Sequence, residues 1–358
     1  MNETTVETTP ETLSGNELHI IAAGAATSLG SYAAATLAAV QARIPNFTDH
    51  PYLIDLQGEP YILALAPYID PDYQGVKRYN ALLNYALCDC CAEKEGMPAS
   101  MPCVLCLPNE RPTFHFQQVR EVAQQLASDC SGLVLTSQDL YYQGHAAAYQ
   151  ALEQVQYHLL HTAHEFCLLA GVESYIDSTT LNGLEMNSQV HNANNAYGFV
   201  PGEAAACVLL CTQKTVDKYQ LTSLGTLLAF AHAFEPVHHT QGVCTGQGLT
   251  QAIQKTLHHC PPDQKVQQVI CDLNGETHRS DEYGFTLTRL SQSLDRPDDF
   301  TAPADCWGDV GAATGVLNMV LATANPISTT PNALTLLWAS SSHNLRSALL
   351  IRQPTVNR

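Results

Sequence analysis

The stretch YYQGHAAAYQALEQV, Tyr141 to Val155, sets His145 beside Gly144 at the mouth of a segment whose first turns carry almost only alanine. Turns of that kind let a backbone or a ligand come close, and histidine is the side chain that exchanges protons most readily near neutral pH. Thirteen cysteines are a second source of chemistry. CDCC (Cys88, Cys90, Cys91) is followed by CVLC (Cys103, Cys106), and C-x2-C spacings can mark a zinc site. The first group ends a helix-like run, YNALLNYALCDCCAEK, and the second lies in a strand-like PCVLCLP. Residues three apart in a strand point to opposite faces, so Cys103 and Cys106 diverge and core packing is the favoured reading over metal. His238-His239 and His258-His259 lack ligand spacing and read as surface or loop residues. Cys167, Cys207 and Cys211 fall in apolar segments, while Cys130 and Cys244 fall in loops with no motif that puts them at a helix mouth.

The elements that must position such residues alternate along the chain. LHIIAAGAATSLG reads as a buried strand, SYAAATLAAVQARI as a helix, YILALAPYI as a strand and VKRYNALLNYALCDCCAEKEGM as an amphipathic helix. FQQVREVAQQLAS is helical and SGLVLTS is a short strand. The alanine helix then runs over about 145–163, with Ala148, Leu152, Val155 and Leu159 as its buried stripe. EFCLLAGVESYI, FVPGEAAACVLLCT and SLGTLLAFAHAF read as strands, and LTQAIQKTLHHC as a helix. KVQQVICDLNGET is a strand entering a loop, GDVGAATGVLNMVLATA a turn opening a helix, and ALTLLWASSSHNLRSALLIR a closing strand pair. This is an α/β pattern with buried sheets. The domain reading is a disordered acidic tail over 1–16, a first half over 17–217 and a second alternating half over 218–358.

Composition narrows the functions. The 358 residues suffice for a large core. A net charge of -18, with 16 Lys plus Arg against 34 Asp plus Glu, repels nucleic acid and anionic lipid. No apolar run approaches the ~20 residues of a spanning helix, and the acidic, polar MNETTVETTPETLSGN does not read as a secretory signal. The expectation is a reduced, cytoplasmic protein. No metal, nucleotide or flavin motif stands out, so no cofactor is expected; AAGAATSLG lacks the G-x-G-x-x-G spacing of a dinucleotide site.

Four stretches, in order, resemble the β-ketoacyl synthase branch of the thiolase superfamily. GHAAAYQAL followed by LLAGVES is similar to the family's ACSSSLVAL and its later AGG with an acidic residue; counting back 28 positions from Glu173 reaches His145. YGFVPGEAAACVLL resembles GFVxGEGAAxLVLE, CDLNGETH resembles xNAHGTxT, and GDVGAATGVLNMVLA resembles GHxxGAAGxxxxxxxL. IIAAGAATSLGSYAAATLAAV resembles the family's opening, so the likeness covers about 18 to 352. It implies the five-layer αβαβα thiolase fold with two similar stacked halves, and a dimer, either of two copies or with another thiolase-fold chain.

The family's decarboxylative condensation uses a cysteine thiolate at a helix mouth and two histidines that stabilise the developing charge. The resemblance puts His145 at the cysteine position, Asn274 at the first histidine and Asp309 at the second. Ala304 falls on the family's lysine, and SSSHN, Ser340 to Asn344, on its GFGGTN. Loss of those glycines suggests a remodelled or closed pocket. Gly144, Ala146, Glu276, His278, Ser341 and Ser342 are pocket candidates. The expectation is a catalytically degenerate scaffold that binds a protein or an acyl-like ligand, either a chain-length-factor-like partner or an accessory protein of type VI secretion. One alternative is a repurposed thioesterase or acyl-transfer enzyme in which Asp309 orients His145 to activate water and Asn274 donates to an oxyanion. The other is a true synthase whose nucleophile is a different cysteine.

Overall fold

The computed structural model describes residues 17–92, 100–130, 132–238, 240, 242–323 and 332–354; the predicted tail over 1–16 and His239 lie outside them. The strands are β1 (Leu18–Thr27), β2 (Thr48–Ile54), β3 (Pro60–Leu63), β4 (Met101–Cys106), β5 (Leu133–Val134), β6 (Leu140–Tyr141), β7 (Phe166–Ser174), β8 (Glu203–Thr212), β9 (Gly225–Phe234), β10 (Gln268–Ile270), β11 (Leu334–Ser340) and β12 (Leu345–Arg352). The helices are α1 (Ala33–Gln41), α2 (Gly75–Cys91), α3 (Phe116–Asp129), α4 (Ala147–His161), α5 (Ser178–Met186), α6 (Gln213–Tyr219), α7 (Gln247–Leu257), α8 (Thr277–Leu290), α9 (Ala304–Trp307) and α10 (Thr314–Thr323). None of them is long and apolar enough to cross a membrane.

Apolar residues on every face of the long strands bury the sheet on both sides. Its order is β10-β11-β12-β9-β1-β8-β7-β4-β5, with β6 also on β4. One pairing scheme occurs twice. From β1 the sheet runs antiparallel to β8, antiparallel to β7, then parallel to β4. From β9 it runs antiparallel to β12, antiparallel to β11, then parallel to β10. The two runs join where Leu18–Ile20 pairs antiparallel with Gly225–Leu227.

Strand alternation sorts the side chains into layers. Ala205, Cys207 and Leu209 face outward with Leu82, Leu83 and Ala86 of α2 and Val122 and Leu126 of α3. Ala204, Ala206 and Val208 face inward with Ala148 and Leu152 of α4 and Val316 and Val320 of α10. Leu337 and Leu349 cover the other side of that helical layer. Leu336, Trp338 and Leu350 point away from it, against Leu249 and Ile253 of α7 and Tyr283 of α8. The result is α2/α3, half-sheet, α4/α10, half-sheet, α7/α8, the five layers expected. Cys103 joins the outer cluster and Cys106 the central one, as their spacing requires.

Three local differences have physical causes. The alanine segment begins as a tight 3-10 turn over Gly144–Ala146 and becomes α-helical only at Ala147. Its predicted stripe is buried, but so are Ala147, Tyr149 and Ala151, because α4 has a sheet on either side. YILALAPYI supplies β3, which leaves the main sheet to pair with β2. There the buried Glu203 accepts from Arg78 Nε and Nη2 (2.5 and 2.6 Å), Ala66 N (2.9 Å) and Ser174 Oγ (2.9 Å).

The small residues of α4 serve the neighbouring helix. A Cβ on Gly315 of α10 would stand 2.6 Å from the Cβ of Ala148, closer than side chains approach. Gly315→Val should therefore destabilise the fold by about 1–3 kcal/mol through overpacking, measured by urea unfolding; unchanged stability would show that the two helices are not in such contact.

Candidate functional site

Gly144 opens the turn at φ +69°, a conformation that glycine adopts without strain. The turn is pinned from the other half of the molecule. Ser341 Oγ accepts the amide of Ala146 (3.0 Å) and donates to the carbonyl of Gln143, while Ser347 Oγ donates to the carbonyl of Ala146 (2.7 Å). Asp309 arrives on an extended segment whose backbone bonds Val200 and Gly202, and Asn274 on the loop after β10. His145, Asn274 and Asp309, distant in sequence, meet.

The carboxylate of Asp309 is the meeting point, buried to 2 % exposure. His145 Nε2 lies 2.9 Å from each of its oxygens. Tyr175 OH donates to Oδ1 at 3.1 Å, the amide of Gly311 to Oδ1 at 2.9 Å, and Asn274 Nδ2 to Oδ2 at 2.6 Å. Burial alone would raise the pKa of Asp309. The adjacent His145, the nearby Arg279 and the hydrogen bonds from His145 and Asn274 outweigh it and hold the carboxyl well below the usual carboxylate range. A carboxylate is acceptor-only, so Nε2 of His145 carries the proton in this contact. Nδ1 of His145 is buried and has no partner among the described residues.

A second buried network abuts the first. Arg279 donates to Asp272 Oδ2 (2.8 Å), Glu276 Oε2 (2.9 Å) and the carbonyl of Ser340 (2.7 Å). Asn274 Nδ2 also donates to Glu276 Oε2 (3.1 Å), and Asn274 Oδ1 accepts the amide of Glu276 (3.1 Å). Both amide hydrogens of Asn274 are thus committed to carboxylates. Burial pushes Asp272 up despite Arg279. In Glu276 burial acts in the same sense, but Arg279 and His278 bring the group below its ordinary value.

The remaining candidates divide. Gly144 and Ser342 line a cavity of about 200 Å³ with Arg111, Tyr175, Glu276 and His145; drug-sized ligands occupy pockets of roughly 300–1,000 Å³. His278 stands 4.0 Å from Glu276 and makes no hydrogen bond to Asp309. Ala146 and Ser341 are consumed in pinning the turn. Next to His145 a smaller cavity of about 10 Å³, bounded by Cys271, Asp272, Asn274, Trp307 and Asn318, has room for about one water. Sequence reasoning missed Tyr175, Arg279, Asp272 and Arg111. Arg111 holds Glu173 (2.9 Å) and the carbonyl of Ser174 (2.6 Å). The only cue was position: Tyr175 follows Glu173 by two, and Arg279 follows the CDLNGETH motif.

Among the described residues no cysteine lines the cavity of about 200 Å³ at the turn that carries His145. Burial pushes up the thiols of Cys106, Cys167, Cys207 and Cys271. Cys130 caps the end of α3. Cys244, expected away from any helix mouth, sits two residues before Gly246, the N-cap of α7. Its thiol is nonetheless pushed up to about 11, first by burial and then by Glu282. Cys88 and Cys91 are exposed rather than in the core. His238, read as a surface or loop residue, lies in the loop after β9, with Nε2 2.8 Å from the carbonyl of Ser342.

Comparison with solved structures decides the fold. A chain of the ishigamide ketosynthase/chain length factor superposes with TM-score 0.72 at 14 % identity, covering 94 % of this chain and 99 % of that one. A chain from the complex of a type II polyketide synthase acyl-carrier protein with its ketosynthase bound to the hexaketide gives 0.76 at 11 %, with coverage of 94 % and 99 %. This protein has the thiolase-like ketosynthase fold. A β-ketoacyl synthase from Burkholderia phymatum gives 0.71 at 13 %, again covering 94 % and 99 %. No family model and no curated protein matches the sequence.

A ketosynthase fold carrying this cluster has a clear acid response. Asp309 titrates below its ordinary value in the folded state, so its contribution to stability is complete above about pH 4 and is lost as pH falls further. Asp309→Asn should flatten the loss of stability below about pH 4, and Asp309→Ala should cost about 3–5 kcal/mol at neutral pH by stranding buried donors. Denaturant titrations across pH measure both; an unchanged acid slope would remove Asp309 from this role.

Proposed function

We propose that this protein is a catalytically silent ketosynthase-fold scaffold that pairs with a second thiolase-fold chain, in the manner of a chain length factor. The observation that carries the reading is the saturation of Asp309. The residues at the family's cysteine and two histidine positions hydrogen-bond to one another through one carboxylate. No thiolate stands at the mouth of α4, and Asn274 has no hydrogen left for an oxyanion. The partner is inferred from the neighbours, one of which is a ketosynthase/chain length factor pair. The net charge of -18 also disfavours docking an acidic carrier protein directly. Exposed free thiols at Cys88 and Cys91 fit a reducing compartment, and we place the protein in the cytoplasm.

A second reading, thioester hydrolysis, has one observation in its favour. His145 is oriented by Asp309 and keeps Nδ1 unpaired beside a cavity of one water's size. Such a nitrogen can take a proton from water. Thiol release from acetyl-, malonyl- and longer acyl-pantetheine thioesters, with intact mass recorded on the same samples, separates the readings. The silent scaffold gives neither thiol nor adduct. Release that disappears in His145→Ala establishes hydrolysis, and a stable acyl adduct on a cysteine establishes a synthase. For the pairing, native mass spectrometry after co-expression with a ketosynthase should show a one-to-one complex; two separate species would contradict it.

A further inference from the structure

The β2–β3 hairpin carries apolar side chains on both of its faces. Leu53 faces inward to the small cluster of Tyr61, Leu63, Leu181 and Val190. Its neighbours Tyr52 and Ile54 must then point outward, since successive strand residues alternate. Tyr52 is 85 % exposed, Ile54 58 % and Leu56, in the turn that follows, 57 %. The carboxylate of Glu185 on α5 accepts the amide of Leu56 (3.1 and 3.2 Å) and the hydroxyl of Tyr61 (2.5 Å). This ties the hairpin to the end of α5, where Met186 is 73 % exposed. Solvent-facing strand positions are ordinarily polar, and a stripe of this kind marks an interaction site.

The charge around the stripe has one sign. Between Arg43 and Lys77 the sequence has no Lys or Arg and five carboxylates, among them Asp49, Asp55 and Glu59 on the hairpin. On α5 and at its N-cap the charged residues are Asp177 and Glu185, with no Lys or Arg. A second copy would bring the same acidic rim and be repelled. Strand addition is also disfavoured. Pro51 removes a donor from β2, and Nδ1 of His50 accepts the amides of Tyr52 (3.2 Å) and Leu53 (2.9 Å).

We infer that Tyr52, Ile54, Leu56 and Met186 form a docking surface for a protein segment that presents apolar side chains flanked by lysine or arginine. None of the four lines a cavity with His145, and the proposal does not depend on whether that cluster is silent. The test uses fluorescence anisotropy with a short amphipathic Leu/Lys peptide and its Leu/Glu counterpart. The Leu/Lys peptide should bind, more weakly as salt rises. The double variant Tyr52→Ser, Ile54→Ser should weaken it at least about tenfold through lost apolar contact. Phe285→Ser, an exposed apolar position on α8, is the control and should leave binding unchanged. Each variant is checked for native unfolding behaviour, and Tyr52→Ser alone serves if the pair does not fold. Equal binding by wild type and double variant would mean charge attraction only and overturn the proposal. So would equal binding of the Leu/Glu peptide, or self-association of the protein that the double variant abolishes.

Discussion

One buried carboxylate organises the centre of this molecule. Asp309 is bonded by residues from four separate parts of the chain: the turn before α4, the end of β7, the loop after β10 and its own loop. A desolvated anion is costly unless its lone pairs are filled, so its position fixes where His145, Tyr175 and Asn274 can be. The neighbouring Arg279 is in turn held by Asp272, Glu276 and the Ser340 carbonyl. Through Ser341 and Ser347 the hairpin of β11 and β12 grips the turn that carries His145. The two halves of the fold are locked to each other around this cluster.

That exchange of space for contacts links packing to function. α4 and α10 approach so closely that Gly315 meets Ala148, and the cavity on the inner side of His145 holds only about 10 Å³. An acyl chain has no comparable room in that cavity. The larger cavity of about 200 Å³ lies at the mouth and is rimmed by acidic and basic side chains, Arg111, Glu173, Glu276 and Arg279 among them. Such a rim suits polar contact better than an alkyl chain.

Much of this architecture was legible in the sequence, and the illegible parts share a cause. Apolar runs and small-residue turns identify the long strands and the central helices because each is a local pattern. His145, Asn274 and Asp309 could be paired in advance because the motifs around them, GHAAAYQAL, CDLNGETH and GDVGAATG, keep their order and surroundings. Tyr175, Arg279 and Asp272 were not foreseen. Their partners come from other elements, and nothing local distinguishes a buried arginine from a surface one. The burial of α4 on all sides was underestimated for the same reason: periodicity reports one neighbouring layer, and α4 has two. β2 has no counterpart in the sequence reading: TDHPYLI carries Pro51 and no clean apolar alternation, and its Tyr52 and Ile54 face solvent.

The central claim is that His145 supports the structure and does no chemistry. Replacing a catalytic side chain commonly leaves a protein as stable or more so, because active sites hold strain for function. Replacing a member of a structural network strands its partner. The equilibrium unfolding free energy of His145→Ala against wild type, at neutral pH, distinguishes the two. A destabilisation of about 1–3 kcal/mol is expected from leaving the Asp309 carboxylate short of a donor; a variant as stable as wild type, or more stable, would contradict the account.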